Sequence, residues 1–306
     1  MIRSWFHRTR IPAGFLPAVP RLLRVLSALG TRGLSQSVEA RKPALNGVGI
    51  VAALAAEVRH LGPATPVDPT THLEPAAHFG RRMKRRRPPA SLADGTLLVV
   101  SGIGCAAAAL GARALIQAGA TSLASWGMAG GLDPTLTSGT IFLPGEVISL
   151  DGTALPTARN WRERVGATIA AHRPVAGGKL LTSPQAIGSV ADKAMAFSRT
   201  GAAAVDMESL AVAEVAKSHG MPFIAVRVIV DSAADVLPRA VITASVGGYL
   251  RIWRLIGALA LSPGDLAPLI RLARGYRAAS RSFDIIAHAG LLGPHTVPIA
   301  SDARQT

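Results

Sequence analysis

The sequence predicts an α/β fold with three αβα layers around a central mixed, largely parallel sheet, plus additional helices at the C-terminus. Two observations carry this prediction. Short, continuously apolar segments recur between residues 47 and 235, and segments of helical composition alternate with them. Strands that are apolar throughout, without polar alternation, are typical of a sheet that helices cover on both faces.

Six strands are predicted, in the order GVGIVAAL, GTLLVVSGIG, TSLASWGMAGGL, GTIFLPGEVISL, GGKLLTSPQAI and MPFIAVRVIVDSAAD. A helix starts in AAEVRHLG after the first strand. A second helix, CAAAALGARALIQAG, ends at Gly119, because glycine readily adopts the left-handed conformation after a helix. Ligands of such sheets bind beyond the carboxyl ends of the strands. We therefore expect the site near residues 102–104, 127–131 and 231–235.

One further helix is predicted over residues 201–216, GAAAVDMESLAVAEVA, and it raises a question of its own. Asp206 and Glu208 flank Met207 near the start of an otherwise largely apolar segment. Acidic residues are favoured in a first helical turn, where unpaired N–H groups concentrate positive potential. Helix capping therefore explains the acids, and so does a ligand pocket at the same place.

The composition limits the classes of function. With 306 residues and 49% apolar residues, the chain can build a sizeable core. Cys105 is the only cysteine, so no disulfide framework is expected, which fits a reducing compartment and a cytoplasmic location. Aromatic residues make up 4%, which argues against a protein that stacks on single-stranded bases. The net charge of +15 favours anionic neighbours.

The charge is unevenly distributed and suggests the domain boundaries. Residues 1–46 hold eight basic residues and one acid, and we expect a basic extension that can be disordered. Arg21 and Arg24 interrupt its apolar run, so it is predicted to be neither a secretory signal nor a membrane span. A folded domain over 47–245, a helical extension over 246–293 and a flexible tail over 294–306 are expected to follow. The basic run RRMKRRRPP, residues 81–89, is interpreted as a solvated loop.

The segment GIGCAA, residues 102–107, fits the glycine fingerprint of dinucleotide-binding proteins. That fingerprint requires an acid about 20 residues further on to hold the ribose hydroxyls. The sequence has no Asp or Glu between Asp94 and Asp133, which disfavours a Rossmann dehydrogenase. The glycines fit a tight strand-to-helix turn, and equally a close approach of backbone N–H groups to an anion or a sugar.

Four segments, in order, resemble the nucleoside phosphorylase/nucleosidase superfamily, which includes purine nucleoside phosphorylases and methylthioadenosine/S-adenosylhomocysteine nucleosidases. They are VGIVAALAAEV, VSGIGCAAAALGA, SWGMAGGLDPTLTSGTI, and AVDMESLAVAEVA together with MPFIAVRVIVDSAAD. The resemblance covers about residues 47–236. It implies cleavage of a purine N-glycosidic bond through an oxocarbenium-like state.

The resemblance also implies roles for particular residues. Met207 and Glu208 would bind the ribose, Asp231 would protonate the purine at N7, and Glu57 would activate the attacking water. Asp206 matches a less essential acidic position. As structural alternatives, Asp231 could cap the turn DSAAD, and Glu57 could be an ordinary first-turn acid.

The resemblance further implies a set of pocket residues. The nucleophile or anion loop is expected at Ser101, Gly102, Gly127, Met128, Ala129 and Gly130, and the base pocket at Ala186, Ile187 and Asp231. No metal and no cofactor are expected, with phosphate as a possible co-substrate.

Two departures from the pattern bear on the reaction. Many phosphorylases of this family carry an arginine and a serine where this chain has Ser125 and Met128. Both phosphate ligands are thus missing from these positions, which leaves phosphorolysis and hydrolysis open. The nucleosidases have an aromatic residue near the position of Ala186. Its absence implies a differently shaped base pocket, or a residue supplied from elsewhere.

The C-terminal part predicts two helices that separate at residues 262–264. Apolar stripes at helical spacing comprise Tyr249, Ile252, Trp253, Ile256 and Leu259 in the first helix, and Leu266, Leu269, Ile270 and Ala273 in the second. Arg271, Arg274, Arg277 and Arg281 accompany the second stripe. These stripes pack either on the core or a second subunit, or they form a surface that sits on acidic lipid.

With this tail, the chain is similar to the hopanoid-associated phosphorylases over about residues 47–293. That similarity implies release of adenine from adenosylhopane by an enzyme on the inner face of the membrane, assembled as a homodimer or larger homo-oligomer. There are three alternatives: a soluble methylthioadenosine or S-adenosylhomocysteine nucleosidase, a basic nucleic-acid binder, and a family member without catalysis. The absence of a nucleic-acid motif disfavours the second alternative. The acids Glu57, Glu208 and Asp231 disfavour the third.

Overall fold

A computed structural model describes residues 47–67, 88–238 and 266–289. The expectations for residues 1–46, for the basic run at 81–87, for the stripe that begins at Tyr249 and for the tail 294–306 concern residues outside these ranges.

The described strands are β1 (Val48–Ala52), β2 (Thr65–Pro66), β3 (Ala90–Ser91), β4 (Leu97–Val100), β5 (Ser122–Gly131), β6 (Ile141–Phe142), β7 (Glu146–Ile148), β8 (Ala154–Pro156), β9 (Val175–Ala176), β10 (Lys179–Thr182), β11 (Ala202–Asp206) and β12 (Phe223–Asp231). They form one sheet in the order β2-β3-β4-β1-β5-β11-β10-β7-β8. β12 pairs with β5 and with β6, and β6 pairs with β9.

The long strands of the sheet run parallel and meet at β5. β1 pairs with β4 and β5 in parallel, and β12 runs parallel to β5 from Phe223 opposite Leu123 to Asp231 opposite Gly130. β11 pairs in parallel with β10 but antiparallel with the end of β5. The sheet is therefore mixed, and it brings the carboxyl ends of β1, β5 and β12 together.

The described helices are α1 (Ala55–Val58), α2 (Cys105–Gln117), α3 (Arg159–Ala170), α4 (Val190–Thr200), α5 (Ser209–Ser218) and α6 (Leu266–His288), with a 3-10 helix at Arg59–Leu61. Buried residues of α2 and α5 share one apolar cluster with the sheet, and those of α3 and α6 share another. Helices thus cover both faces of the sheet, and the three-layer prediction is confirmed.

Helix α6 is packed against the core along its C-terminal half. Ala279, Phe283 and Ile286 are buried, and the Phe283 ring lies 5.0 Å from that of Trp126. The same helix contacts the 3-10 helix, where Arg59 Nη2 donates to Ser280 Oγ at 3.0 Å and the His60 ring stacks on Phe283. The predicted second C-terminal helix is present, but its buried apolar residues lie further along the chain than predicted. Ile270, which belongs to the predicted stripe, is 45% exposed.

The prediction of one helix over residues 201–216 was wrong in its first half. Ala202–Asp206 is a fully buried strand between β10 and the end of β5, and the helix begins only at Ser209. Alanine has high intrinsic helix propensity, but pairing on both edges and burial on both faces outweigh this preference of about 0.5 kcal/mol per residue.

The predicted fourth strand, GTIFLPGEVISL, is two short strands. β6 pairs with β12 and β9, whereas β7 pairs with β10 and β8, so the two strands have entirely different neighbours. Pro144 and Gly145 separate them. Proline cannot donate a ladder hydrogen bond, so it commonly interrupts a strand. Among the described residues, no helix is both long enough and apolar enough to cross a membrane.

Candidate active site

A small cavity opens where the carboxyl ends of β1 and β5 meet the start of α5. Its lining residues are Val51, Ala53, Glu57, Ser125, Trp126, Gly127, Met128, Glu208 and Arg227. Two carboxyl groups, those of Glu57 and Glu208, and the guanidinium of Arg227 face this cavity.

Glu57 lies in α1, the short helix after β1, and is 4% exposed. Its Oε2 accepts the N–H of Leu54 at 2.9 Å, which caps the helix, and its Oε1 accepts the N–H of Met128 at 3.0 Å. Burial raises the pKa of Glu57, and these two hydrogen bonds and the charge of Arg227 oppose that rise. The side chain is thus an ordinary first-turn acid and a cavity residue at once.

The close approach of Glu57 to β5 requires a glycine at position 127. A Cβ atom there would lie 2.7 Å from Glu57 Oε1 and 3.3 Å from Arg227 Nη1. Trp126, the preceding residue, donates its indole N–H to the Glu57 carbonyl at 2.8 Å. Strand β5 therefore holds Glu57 through both its backbone and its side chain.

Arg227 is a buried arginine in the middle of β12, 2% exposed. Its Nε and Nη2 both donate to Asp206 Oδ2, at 2.9 and 2.7 Å. Nη2 also donates to Ser125 Oγ at 2.6 Å and to Ser209 Oγ at 2.8 Å. The guanidinium is therefore paired with a carboxylate before any ligand arrives.

Asp206 and Glu208 have different tasks, which answers the question raised by the sequence. Asp206 caps α5, because its carboxylate accepts the Ser209 N–H at 3.2 Å and the Glu208 N–H at 3.4 Å, and it also accepts the Thr182 hydroxyl at 2.8 Å. Glu208 faces the cavity. The helix-capping acid and the cavity acid are thus two separate residues.

The carboxylate of Glu208 is held by backbone donors. Oε1 accepts the N–H of Gly104 at 2.7 Å, and Oε2 accepts the N–H of Met207 at 3.2 Å. Burial, followed by the nearby charge of Asp206, raises the pKa of Glu208 to about 7. Near neutral pH this group therefore exchanges a proton readily, so it can both donate to and accept from hydroxyl groups.

A search against protein families matches the phosphorylase superfamily over residues 48–246, which is more than half of the chain. The chain belongs to the phosphorylase superfamily. A search of the curated proteins finds no match.

Solved structures of nucleosidases share the superfamily fold with this chain. A 5′-methylthioadenosine/S-adenosylhomocysteine nucleosidase from Neisseria meningitidis, solved with methylthio-immucillin-A, is 19% identical with a TM-score of 0.58, over 81% of this chain and 99% of that one. Futalosine hydrolase from Helicobacter pylori is 17% identical with a TM-score of 0.52, over 74% of this chain and 97% of that one. At identities of 19% and 17%, these similarities show a shared fold only.

The phosphorylase fold brings four of the predicted site residues, Glu57, Gly127, Met128 and Glu208, to one cavity. The remaining predicted residues lie outside its lining. The Ser101 hydroxyl donates to the Ala52 and Gly102 carbonyls and so is bonded to backbone. Ile187 packs on the apolar cluster around Leu181. The roles predicted for Met207, Ala129, Gly130 and Ala186 stay predictions.

Asp231 is buried at the end of β12, beyond the cavity lining. Its Oδ2 pairs with the ammonium of Lys193, and the carboxylate lies over Gly130, where an added Cβ would meet Oδ2 at 3.3 Å. The turn that follows is capped by another acid, since Asp235 Oδ2 accepts the Ser232 N–H at 2.9 Å. The hydrogen bonds found in this turn are thus made by Asp235, whereas the hydrogen bond found for the Asp231 carboxylate is with Lys193.

Sequence reasoning missed Arg227 and Lys193. The signal for Arg227 was present, since FIAVRVIVD has one charged residue inside a strand that is otherwise apolar up to its last position. A buried arginine needs partners, which points to carboxylates nearby. Lys193 gave no such signal, because a lysine in a polar helix is usually solvated.

Proposed function

We propose that this protein hydrolyses the N-glycosidic bond of a purine nucleoside, with water rather than phosphate as the nucleophile. The observation that carries the proposal is the charge of the cavity. Glu57 and Glu208 add two carboxyl groups, and the Arg227 guanidinium is already paired with Asp206. Among the described lining residues, Arg227 is the sole cation. A phosphate dianion would therefore meet two carboxyl groups and no unpaired cation in the described lining of this cavity, whereas water needs no counter-charge.

Glu57 is suited to act as the general base that activates this water. A catalytic base works best when its pKa lies near the working pH, and burial shifts Glu57 in that direction. The Glu57 oxygens accept the N–H groups of Met128 and Leu54, and a carboxylate offers about four acceptor sites, so it can accept a further donor. Glu208 would bind the sugar hydroxyls and, with Glu57, would stabilise the positive charge that develops on the ribose.

The test is to supply a purine nucleoside with and without inorganic phosphate and to identify the sugar product. Hydrolysis predicts free sugar, adenine release that does not depend on phosphate, and one ¹⁸O atom in the sugar from labelled water. A sugar 1-phosphate, formed only when phosphate is present, would show that the enzyme is a phosphorylase. Glu57→Gln serves as the inactive control.

For the substrate we propose adenosylhopane, from which the enzyme would release adenine at a membrane surface. The supporting observation is that Arg271, Arg274, Arg277 and Arg281 are all exposed on α6, at spacings of three and four residues. Such a stripe suits acidic lipid headgroups, at about 1 kcal/mol for each basic residue near the surface. The alternative is a soluble nucleosidase for methylthioadenosine, which the likeness to the Neisseria enzyme supports.

Two measurements separate these substrates. Adenine release from adenosylhopane in detergent is compared with release from methylthioadenosine, and cleavage of methylthioadenosine alone would contradict the lipid proposal. Flotation with anionic vesicles tests whether the arginine stripe on α6 binds lipid. A triple variant that changes Arg274, Arg277 and Arg281 to Gln should bind the vesicles more weakly. The matched control changes the exposed Arg113, Arg173 and Arg199 to Gln. Equal flotation of both variants would exclude the stripe as the membrane contact.

A further inference from the structure

Lys193 is a fully buried lysine, at 0% exposure, in the first half of α4. Burying an ammonium group is costly unless charged or polar partners surround it. The helix that carries it is fixed at its start, where Ser189 Oγ accepts the Asp192 N–H at 3.0 Å. The capped start of α4 therefore fixes the position from which the Lys193 side chain extends into the interior.

Three acceptors surround the Lys193 nitrogen. Nζ donates to Asp231 Oδ2, to the Ser232 carbonyl at 2.7 Å and to the Asp235 carbonyl at 2.9 Å. An ammonium group has three N–H donors. The geometry therefore matches a charged Lys193 that uses every donor and holds both ends of the turn after β12.

Asp231 has one oxygen committed to Lys193 and one available. Within the described part of the chain, Oδ2 pairs with the lysine, and no hydrogen bond to Oδ1 is found. Gly130, which the carboxylate overlies, is three residues along β5 from Gly127 at the cavity, or about 10 Å of strand. That separation is comparable with the length of a nucleoside, which is the reach that a base would need if its sugar occupied the cavity and the base contacted Asp231.

We propose that Lys193 is the source of the proton that the departing purine receives, passed on through Asp231. This inference rests on the proposed function. As the bond between C1′ and N9 breaks, its electron pair goes to the purine. N7 takes a proton from Asp231, and Asp231 takes one from Lys193. The net change at the pair is loss of one proton from the ammonium, which solvent restores after the base leaves.

Two features of the site favour this relay. An aspartate that is ionised next to an ammonium has no proton of its own to give, so the lysine supplies what Asp231 lacks. Burial raises the pKa of Asp231 against the opposing charge of Lys193, which lowers the cost of its transient protonation. The neutral amine keeps two N–H groups, which satisfy the Ser232 and Asp235 carbonyls.

The decisive variant is Lys193→Arg, which keeps the charge and the donors but cannot release a proton in a protein. It is assayed on an adenine nucleoside and on 4-nitrophenyl riboside, whose leaving group needs no protonation. The relay predicts a fall of about 100-fold or more in adenine release, the usual size of a general-acid contribution, and less than about 3-fold in nitrophenolate release. The control is Lys179→Arg, at an exposed pair with Glu146.

Equal losses on the two substrates would make Lys193 a purely structural residue and overturn the relay, as would no loss on either. A second measurement tests the relay in case the buried site cannot accommodate the larger side chain of Lys193→Arg. In a double-mutant cycle with Lys193→Met and Asp231→Asn, the relay predicts that the double variant releases adenine no more slowly than Asp231→Asn alone. Additive losses would overturn it. The wild-type protein tests the proposed function separately, through adenine release itself.

Discussion

Arg227 and Asp206 form a buried ion pair in which Nε and Nη2 of the guanidinium both donate to Oδ2, at 2.9 and 2.7 Å. The arginine belongs to β12 and lines the cavity, whereas the aspartate ends β11 and caps α5. The pair thereby joins the candidate site to the centre of the sheet. Removing either partner should reduce the stability of the protein, and should reduce activity mainly as a consequence of that loss.

Asp206→Asn is expected to lower the free energy of unfolding by about 3 to 5 kcal/mol, because it leaves a buried guanidinium without its counter-charge. Urea denaturation followed by circular dichroism measures this change. The matched control is Glu163→Gln, which breaks the exposed pair with Arg159 and should leave the free energy of unfolding nearly unchanged, because solvent screens exposed charges. If both variants lost the same free energy of unfolding, the Arg227–Asp206 pair would stabilise the protein no more than a surface pair, and the prediction would be wrong.

Glu57→Gln should reduce kcat for adenine release by about 10²- to 10⁴-fold, since the amide cannot accept the proton of water. Adenine binding should change little, because the base is expected at the other end of the site. Steady-state kinetics and calorimetry with adenine measure the two effects. Glu214→Gln, on the exposed face of α5, is the control. Activity within about 3-fold of wild type would exclude Glu57 as the base.

Glu208 should make stability depend on pH between about 4.5 and 7. Its pKa is raised from 4.5 to about 7 in the folded protein, so the folded state keeps a proton that the unfolded state has lost. The free energy of unfolding therefore falls as pH rises through this range, by about 3 kcal/mol, and levels off above it. Burial raises the pKa of Glu57 as well, which adds to the fall in the same direction.

Urea midpoints at a series of pH values test this dependence. Glu208→Gln should flatten the part of the curve that Glu208 contributes. Asp151, Glu163 and Asp235 have lowered pKa values and act in the opposite direction, but below about pH 4.5. A wild-type stability that rises between pH 5 and 7 would refute the assignment.

Gly127→Ala should abolish most activity while the protein stays folded. The added Cβ would lie 2.7 Å from Glu57 Oε1, so the carboxylate must move from its place beside Arg227. A displacement of about 1 Å can cost roughly 100-fold in rate. The control is Gly166→Ala in α3, where the Cβ meets Leu143 at an ordinary 3.5 Å. Wild-type turnover in Gly127→Ala would show that this contact is unimportant.

The sequence predicted the layers and half of the cavity for identifiable reasons. Continuous apolar strands ending in glycine locate one edge of the sheet, and Glu57 follows a strand that ends there. Glu208 was predicted from the resemblance of its segment to the superfamily. The strand Ala202–Asp206 could not be predicted from its residues, because an alanine-rich segment becomes a strand only where two neighbouring strands pair with it.

Contacts between residues that are distant in the sequence could not be predicted either. Lys193 and Asp231 are 38 residues apart, and Ser125 and Arg227 are 102 apart. Local patterns register that a residue is charged, but not that the fold buries it beside an opposite charge. The division of Asp206 and Glu208 into a capping acid and a cavity acid likewise depends on Arg227, which arrives from another strand.

Helix α6 begins 20 residues after the superfamily match ends at residue 246. Phe283 supports Trp126, and Trp126 in turn holds the Glu57 carbonyl. A protein truncated after residue 246 would retain the whole matched domain but lose the packing of Phe283 on Trp126, and with it a support for Glu57, the proposed catalytic base. We therefore predict that activity requires α6 in addition to the matched domain, and that the matched domain expressed alone is inactive.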